Sequence, residues 1–504
     1  MVVAQLNTLI VTAGSFVVTP AVLNALGESD YGGWLLINSF IGYMRMLDLG
    51  TSSGTVKFGA GAQQRGDLRD LARVMNTSTV MFLVLGGVTM AATVVMASVL
   101  PTVYPNAIAN ASETILILGA AAALDLCFRP FAAALRMRSL YLVYDGLEIA
   151  TYTVFKLTLV VWFAHHRRLD YHTLALLTFG ETAARLVLMS LAALWFNPAA
   201  RRINPLRPAR DMVRKLATMG AAMSIIQVAD LVRFQVDAGV IGYFMPESPE
   251  SISVFGVGTR LTSISYFAVG VIGSVLMPRF SGLAETEDKE GIKSLLRRAD
   301  LTTGLVSSLV LVNLAVLGPQ FLEIWLKKPW VHQSGQILLL MLPAYHIAIL
   351  THPSSNLIIG RGKLRGLTIL TVAEALANII LSVLLVHPLG IYGVAIGTAI
   401  PLAVFRGILY PAILLKNELG MGIGAYYRQH GRSLLVGFVY LLLVGGLSFV
   451  RLRSYAQFVV AGVCSTALFL VPLFVFVPEA RDGLKSRLAR LRNRKARRAA
   501  AEEA

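Results

Sequence analysis

Residues 74–100 read VMNTSTVMFLVLGGVTMAATVVMASVL and contain no charged side chain. A helix needs about 20 consecutive, mainly apolar residues to cross the hydrocarbon core of a bilayer. This stretch therefore predicts a transmembrane helix, and comparable stretches recur from one end of the chain to the other.

The composition of the whole chain agrees with that prediction. Of its 504 residues 56% are hydrophobic and 14% are charged, whereas an ordinary soluble domain is about a quarter charged. Disordered, fibrous and disulfide-rich secreted proteins are excluded, and a soluble multidomain enzyme is strongly disfavoured. Cys127 and Cys464 both lie in apolar stretches, without the spacing of a metal or disulfide site. We expect an all-α polytopic membrane protein with no cofactor and no metal.

Fourteen transmembrane spans are predicted. An even number of spans places both termini on the same side of the membrane. The spans are 2–25, 31–56, 74–100, 113–135, 144–164, 172–196, 217–244, 252–277, 301–322, 335–359, 367–387, 390–414, 433–450 and 457–477.

The distribution of basic residues places both termini in the cytoplasm. With that orientation 32 of the 45 Lys and Arg residues fall in cytoplasmic segments, 6 on the opposite side and 7 within spans. Cytoplasmic loops collect Lys and Arg, and a wrong number of spans would destroy this alternation. The net charge of +17 is therefore attributed to topology and to anionic lipid, and not to nucleic acid binding.

Weak internal similarity predicts two six-helix lobes. At an offset of 224 residues, 31–32 aligns with 255–256 and 68–73 aligns with 292–297. Repeats with an even number of spans are related by an axis along the membrane normal. The predicted organisation is an N-terminal lobe (1–196), a cytoplasmic linker (197–216), a C-terminal lobe (217–415), two further helices (433–478) and a basic cytoplasmic tail (479–504).

Fourteen ionisable residues lie within the predicted spans. Each would cost about 3 kcal/mol in lipid, so many of them must face protein or water. Residues three or four apart, such as Glu181 and Arg185, can neutralise each other on one helix. The fourteen are Arg45, Asp48, Asp125, Arg129, Glu148, Lys156, Glu181, Arg185, Asp230, Arg233, Asp237, Arg260, Glu374 and Arg406.

Three of the arginines are predicted to bind an anionic substrate, namely Arg45, Arg233 and Arg260. Arg260 has no acidic residue nearby on its own helix, and Arg233 lies between Asp230 and Asp237. A guanidinium group stays charged when it loses water and donates two parallel hydrogen bonds to a phosphate. Local neutralisation, for example of Arg45 by Asp48, is the alternative.

Four carboxylates are candidates for ion coupling: Asp48, Glu148, Asp237 and Glu374. Glu148 and Glu374 occupy matching places in helices 5 and 11 and have no obvious partner on their own helices. Burial favours the protonated form of a carboxylate, which allows such a group to carry a proton. A hydrogen bond to a neighbouring helix is an equally good explanation.

Two classes of membrane protein are disfavoured by what the sequence lacks. There is no GxxxxGK[ST] loop for a nucleotide, which argues against an ATP-driven pump. The predicted loops are too short to hold the catalytic groups of a membrane glycan polymerase or transferase. We therefore predict a protein that is not an enzyme.

Three segments resemble bacterial polysaccharide-biosynthesis flippases. The segment 19–60, TPAVLNALGESDYGGWLLINSFIGYMRMLDLGTSSGTVKFGA, has the Leu-Gly, acidic turn, Tyr-Gly and Asp-Leu-Gly of that family, at 26–27, 31–32 and 48–50. The segment 254–283, VFGVGTRLTSISYFAVGVIGSVLMPRFSGL, is similar to the family's helix 8 and contains Arg260. The segment 378–400, NIILSVLLVHPLGIYGVAIGTAI, is similar to its helix 11–12 junction.

The resemblance implies the multidrug/oligosaccharidyl-lipid/polysaccharide exporter fold, with two six-helix lobes in a V around a central cavity. It further implies a flippase of the bacterial inner membrane that works by alternating access. The implied substrate is a polyprenyl (undecaprenyl) diphosphate-linked oligosaccharide for exopolysaccharide, capsule or O-antigen, and polysaccharide assembly machinery is an expected partner beside membrane lipids.

One departure from related proteins bears on the substrate. Lipid II flippases carry arginines in helix 1, and helix 1 of this chain has none. Lipid II flippase and ion-coupled multidrug antiporter remain the alternatives, and a membrane glycan polymerase or transferase is a third that the short loops disfavour.

Overall fold

The computed structural model describes residues 2–482 except 49, 109, 198–199, 206 and 286–287. The described residues contain helices and no strand. Most of the predicted basic tail (479–504) lies outside them. The α-helices are α1 Val2–Leu26, α2 Glu28–Arg45, α3 Thr51–Gln64, α4 Leu68–Val103, α5 Pro105–Ile108, α6 Ser112–Met137, α7 Tyr141–Tyr152, α8 Val160–His165, α9 Tyr171–Phe196, α10 Arg210–Phe244, α11 Glu250–Glu285, α12 Lys289–Leu326, α13 Val331–Leu350, α14 His352–Gly360, α15 Leu364–Val404, α16 Lys416–Leu419, α17 Ile423–Val444, α18 Tyr455–Leu468 and α19 Leu470–Phe476.

The predicted fold class, an all-α polytopic membrane protein, is confirmed. Each of the fourteen predicted spans coincides with a helical segment. In the described part of the chain, 10 helical stretches are long and apolar enough to cross a membrane. The other predicted spans correspond to α1, to α2–α3, to α10 and to the second half of α15, which one of the ten stretches joins to its first half.

Two of the long helices extend beyond their predicted spans at their N-terminal ends. α4 begins at Leu68 and α12 at Lys289, several residues before the apolar stretches. An aspartate caps each start: Asp67 accepts from the backbone N–H groups of Arg69 and Asp70, and Asp288 accepts from that of Gly291. Such caps satisfy N–H groups that have no partner inside the helix, which explains why two segments predicted as loops are helical.

α15 is a hairpin of two helices and not one straight rod. At Gly390 the backbone has φ 56° and ψ −137°, a conformation that favours glycine. The Asn378 amide donates to Thr398 Oγ1 over 2.7 Å, although 20 residues of straight helix would separate them by about 30 Å. A Cβ at Gly397 would lie 2.5 Å from the Ser382 backbone nitrogen, so glycine is what lets the two halves touch. The predicted boundary between spans 11 and 12 is thus confirmed.

The chain divides into two compact units. Unit 1 comprises Met1–Val257 and Leu364–Pro401, and unit 2 comprises Gly258–Lys363 and Leu402–Ala504. The division into six-helix lobes at 1–196 and 217–415 stays a prediction.

Each unit has its own buried core. In unit 1, α6 packs against α4 and α9, and α10 packs against α2. In unit 2, α12 packs against α13, α14, α17 and α18. The core between α12, α17 and α19 contains Val316, Leu317, Val436, Tyr440 and Phe469.

Candidate functional site

Unit 1 encloses a cavity of about 700 Å³ between its membrane-spanning helices. Its wall is formed by α1, α3, α6, α7 and α9 and by the turn Met46–Asp48. The lining includes seven acidic or basic side chains that belong to predicted spans or lie just beyond their ends. These are Asp48, Asp125, Arg129, Arg136, Glu148, Glu181 and Arg185.

The turn between α2 and α3 positions Asp48 at this cavity. The 3-10 turn Met46–Asp48 ends α2, and Gly50 with φ 66° reverses the backbone before α3. The Asp48 carboxylate accepts from the Ser52 backbone N–H over 3.0 Å. A carboxylate at a helix N-terminus is stabilised by the unpaired N–H groups there, so the Asp-Leu-Gly sequence fixes where this charge lies.

A chain of alternating charges crosses the cavity. Arg129 contacts Asp48 over 2.5 Å and Asp125 over 3.4 Å, and Asp125 also contacts Arg185 over 2.8 Å. The four side chains are 16–24% exposed, which means that a molecule in the cavity could contact them. The expected Asp125–Arg129 pair is present, whereas the Arg185 contact that the structure shows is to Asp125 on another helix.

Three further charged groups complete the cavity wall. The Asn7 amide of α1 donates to Glu148 over 2.7 Å, so the partner of Glu148 comes from a helix 141 residues away. The Arg136 guanidinium lies 4.1 Å from the centre of the Tyr144 ring, a cation–π contact. Glu148 and Glu181 are both close enough to Arg185 to interact with its charge.

This arrangement presents both signs of charge to one open space. It can bind an ion or a polar head group by exchanging one internal ion pair for a contact with the ligand. Arg136 lies just beyond the predicted span 113–135, and Arg129 and Arg185 each have an acidic residue four positions earlier on their own helix. Their spacing gave no signal that α6 and α9 direct them into one cavity.

A second cluster of charges is buried in unit 1, between α10 and the first half of α15. The Arg233 guanidinium pairs with Glu374 over 2.5 Å and also with Asp230. Arg233 and Glu374 are only 3% and 2% exposed. Arg233 therefore forms a buried ion pair here instead of facing open space, and Glu374, which had no obvious partner in the sequence, has one on another helix.

Asp237 lies one turn further along α10 and forms the polar end of this cluster. Both of its carboxylate oxygens are within 3.1 Å of Thr398 Oγ1, and Asn378 donates to that same hydroxyl. The Asn378 side-chain oxygen is buried and has no hydrogen-bond partner among the described residues. A carboxylate, a hydroxyl and an amide oxygen are the hard ligands that a proton or a small cation takes. No group of three or more His, Cys, Asp or Glu suited to a metal occurs within the described part of the chain.

Arg260 differs from the other arginines within spans whose side chains the structure describes. It is exposed, and it makes no ion pair or hydrogen bond with any side chain that the structure describes. It lies ten residues into α11, which corresponds to about 15 Å of helix. The Arg45 side chain lies outside the part of the chain that the structure describes, although its backbone ends α2.

The chain has the fold of known membrane transporters. It superimposes on a structure described as lipid II flippase MurJ in an inward closed conformation with a TM-score of 0.70, 13% identity, and coverage of 95% of this chain and 98% of that one. The inward-facing conformation of a multidrug resistance MATE family transporter of the MOP superfamily gives 0.62, 14%, 85% and 94%. The outward-facing conformation of such a transporter gives 0.58, 16%, 86% and 96%.

Sequence comparison adds no relative. No family model and no curated protein matches the chain. At these levels of identity the structural likeness establishes the fold, while function has to be argued from this chain's own side chains.

Proposed function

We propose that this protein is a flippase that moves a polyprenyl-diphosphate-linked oligosaccharide from the inner to the outer leaflet of the bacterial inner membrane. It would work by alternating access, without covalent chemistry. The diphosphate and sugars cannot cross hydrocarbon unaided, whereas the polyprenyl chain can stay in the bilayer. The predicted substrates are exopolysaccharide, capsule or O-antigen repeat units.

The observation that carries this proposal is the exposed Arg260. A charged side chain in the middle of a membrane-spanning helix is costly unless it meets water or a counter-ion. Arg129, Arg185 and Arg233 meet acidic residues of this chain, while Arg260 meets none of the described ones. An anionic ligand such as a diphosphate would supply the missing counter-charge. Arg45 stays a predicted second contact.

The structural likeness supports a transporter but does not choose its substrate. One similar structure is described as a lipid II flippase and others as multidrug transporters. We favour a lipid-linked anion because the guanidinium group of Arg260, which has no acidic partner among the described residues, can bind a phosphate. Because α1 contains no arginine, we prefer a lipid-linked oligosaccharide to lipid II as the substrate. A multidrug antiporter is the second candidate, supported by the acidic groups of the unit 1 cavity.

Coupling to an ion is proposed at Asp237. Asp237 is buried, with 5% of its surface exposed, and its carboxylate contacts Thr398 and has no basic partner among the described side chains. Asp48 and Glu148 remain candidates at the unit 1 cavity, whereas Glu374 is engaged by Arg233.

The test measures movement of the lipid itself in proteoliposomes. A fluorescent polyprenyl-diphosphate oligosaccharide is placed in one leaflet, and its appearance in the other is followed by chemical quenching. Arg260→Ala is expected to lower the rate about tenfold or more, since a hydrogen bond to a charged group contributes about 1.5–3 kcal/mol. Arg260→Lys should restore part of the rate, because Lys keeps the charge but not the paired donors.

Arg451→Ala is the matched control, because Arg451 is exposed in the connection between α17 and α18. It should leave the rate unchanged. A normal rate in folded Arg260→Ala would remove Arg260 from the site. Movement of lipid II but not of the oligosaccharide, or dye efflux without lipid movement, would replace the proposal by one of its two alternatives.

A further inference from the structure

A second titratable pair lies in unit 2, far along the chain from the groups discussed so far. Asp300 on α12 and His430 on α17 are 2% and 0% exposed. His430 Nε2 lies 3.9 Å from Asp300 Oδ1. Both atoms are buried and have no hydrogen-bond partner among the described residues.

Close packing of α12 and α17 holds the two side chains in place. A Cβ at Gly304 would lie 2.3 Å from Ser433 Oγ, and a Cβ at Gly437 would lie 2.6 Å from Ser308 Oγ. Small residues at this spacing let two helices approach closely. Asp300 precedes Gly304 by one turn and His430 precedes Ser433 by three residues, so the pair belongs to the same rigid interface.

The hydrogen bonds of the ring determine which nitrogen carries a proton. His430 Nδ1 lies 3.0 Å from the backbone oxygen of Tyr426, and a carbonyl oxygen can only accept. Nδ1 must therefore be the protonated nitrogen of a neutral ring, which leaves Nε2 with a lone pair. That lone pair faces Asp300, another acceptor, and the backbone carbonyl of Leu350 is also close to the ring.

The other carboxylate oxygen of Asp300 is satisfied. Gln429 Nε2 donates to Asp300 Oδ2 over 2.5 Å, and no basic side chain among the described residues forms an ion pair with Asp300 apart from His430. Two acceptors that face each other inside a protein are each left without a donor, which destabilises the folded state. One added proton gives one of the two groups a donor, and a rotamer adjustment that shortens the 3.9 Å separation to hydrogen-bond distance then satisfies both.

We propose that Asp300 and His430 form a site that binds one proton between α12 and α17. The proton lies on Nε2, giving an imidazolium–carboxylate pair, or on Oδ1, giving a carboxylic acid that donates to the ring. Either form joins the two helices, and loss of the proton leaves a buried carboxylate opposite a lone pair. The site does not depend on what the protein transports.

The groups around the pair set its chemical neighbourhood. On α13, His346 faces Ser307 of α12 over 2.8 Å and interacts with His430. From the segment Phe405–Leu415, Tyr410 and Arg406 are buried, and on α17 the Tyr426 hydroxyl is buried without a partner. Arg406 and Asp300 each interact electrostatically with Tyr410 and Tyr426. An uncompensated negative charge on Asp300 would therefore change the electrostatic potential at both tyrosines.

The test uses the full-length protein in nanodiscs with ¹⁵N-labelled histidine, and with infrared difference spectra between pH 5 and pH 9. In the wild type, we expect either an Nε2 signal that changes from protonated to lone-pair form or a carboxylic acid C=O band that is lost as the pH rises. The signal should disappear in His430→Gln and the band in Asp300→Asn. A ring that keeps its Nε2 lone pair throughout, with no acid band dependent on Asp300, would overturn the proposal.

Thermal unfolding gives a second readout. It compares how stability changes with pH within each protein, so it can also be used for a variant of lowered stability. A proton bound only in the folded state makes stability fall as pH rises, so the wild type should lose stability towards pH 9. Asp300→Asn should lose less, because its amide can donate permanently to Nε2. Asp211→Asn, at an exposed carboxylate of α10, should keep the wild-type slope. Equal slopes in all three proteins would contradict the proposal.

Discussion

The guanidinium of Arg233 and the carboxylate of Glu374 form an ion pair of 2.5 Å inside the protein, although the two residues are 141 positions apart. Removing one partner of such a pair leaves an uncompensated buried charge, whereas removing both does not. The pair thus links α10 to the hairpin α15, and its contribution to the free energy of unfolding can be measured.

Glu374→Gln is expected to lower the free energy of unfolding by about 3 kcal/mol. The double variant Arg233→Met/Glu374→Met should lose less than the sum of the single variants. Thermal unfolding in detergent measures both. Arg73→Ala is the control, since its pair with Asp211 is half-exposed and should contribute no more than about 1 kcal/mol. Additive losses in the double variant would show that the two charges do not depend on each other.

Asp237→Asn should abolish any dependence of transport on a proton or cation gradient while leaving the protein folded. The amide keeps a contact to Thr398 but cannot bind a proton or neutralise a cation. Flipping rates with and without each gradient measure the effect. Asp230→Asn, at a residue that is 38% exposed on the same helix, is the comparison. Gradient dependence that survives in Asp237→Asn would assign coupling to another carboxylate.

The cavity of unit 1 should admit water and small ions. With Cys127 and Cys464 replaced by alanine, Ala132→Cys lies on the cavity wall and is expected to react with a charged methanethiosulfonate. Ala134→Cys, on the same helix at a residue that is 0% exposed, should not react. Equal labelling of the two cysteines would show that the cavity is not a distinct aqueous space.

The hairpin of α15 should be sensitive to a single methyl group. Gly397→Ala places its Cβ against backbone atoms of Ser382, and we expect a loss of about 1–3 kcal/mol. Gly87→Ala, in α4, meets nothing within 4 Å and should stabilise the helix by up to about 1 kcal/mol. The two melting temperatures should therefore shift in opposite directions, and a shift of the same sign would refute this packing.

Asp170 caps α9 outside the membrane-spanning segments and gives a test of pH dependence. Hydrogen bonds from Thr173 hold the pKa of the Asp170 carboxyl below its ordinary value. Its added stabilisation is therefore complete above the ordinary Asp pKa of about 3.9 and is lost as the pH falls through the lowered value.

The corresponding measurement compares three proteins. Asp170→Ala should lose about 1 kcal/mol at neutral pH, because Ala cannot cap. Asp170→Asn keeps the cap, so its difference from the wild type should vanish at acidic pH. A difference that persists below the range in which Asp170 titrates would assign it to another cause.

Much of the fold could be predicted because the relevant signals are local. Apolar length identified the spans, and the predicted boundary between spans 11 and 12 falls where the structure has the turn at Gly390. The N-terminal parts of α4 and α12 that precede the predicted spans were not predicted to be helical. Their sequences are polar, and only the caps at Asp67 and Asp288 mark where the helices begin. The candidate site was harder to predict. Arg260 could be singled out because it lacks a local acid, but Arg185 has Glu181 one turn away and still contacts Asp125.

The sequence alone determined that this chain is a polytopic helical membrane protein, which spans it has and which residues carry charge into them. Burial of apolar length and the cost of charge in lipid are properties of each segment by itself. Only the tertiary structure decided which polar and charged side chains meet. It joins Asn7 to Glu148, Arg129 to Asp48 and Arg233 to Glu374. A side chain within a membrane span must find its partner across helices, and that partner is set by how helices far apart in sequence pack together.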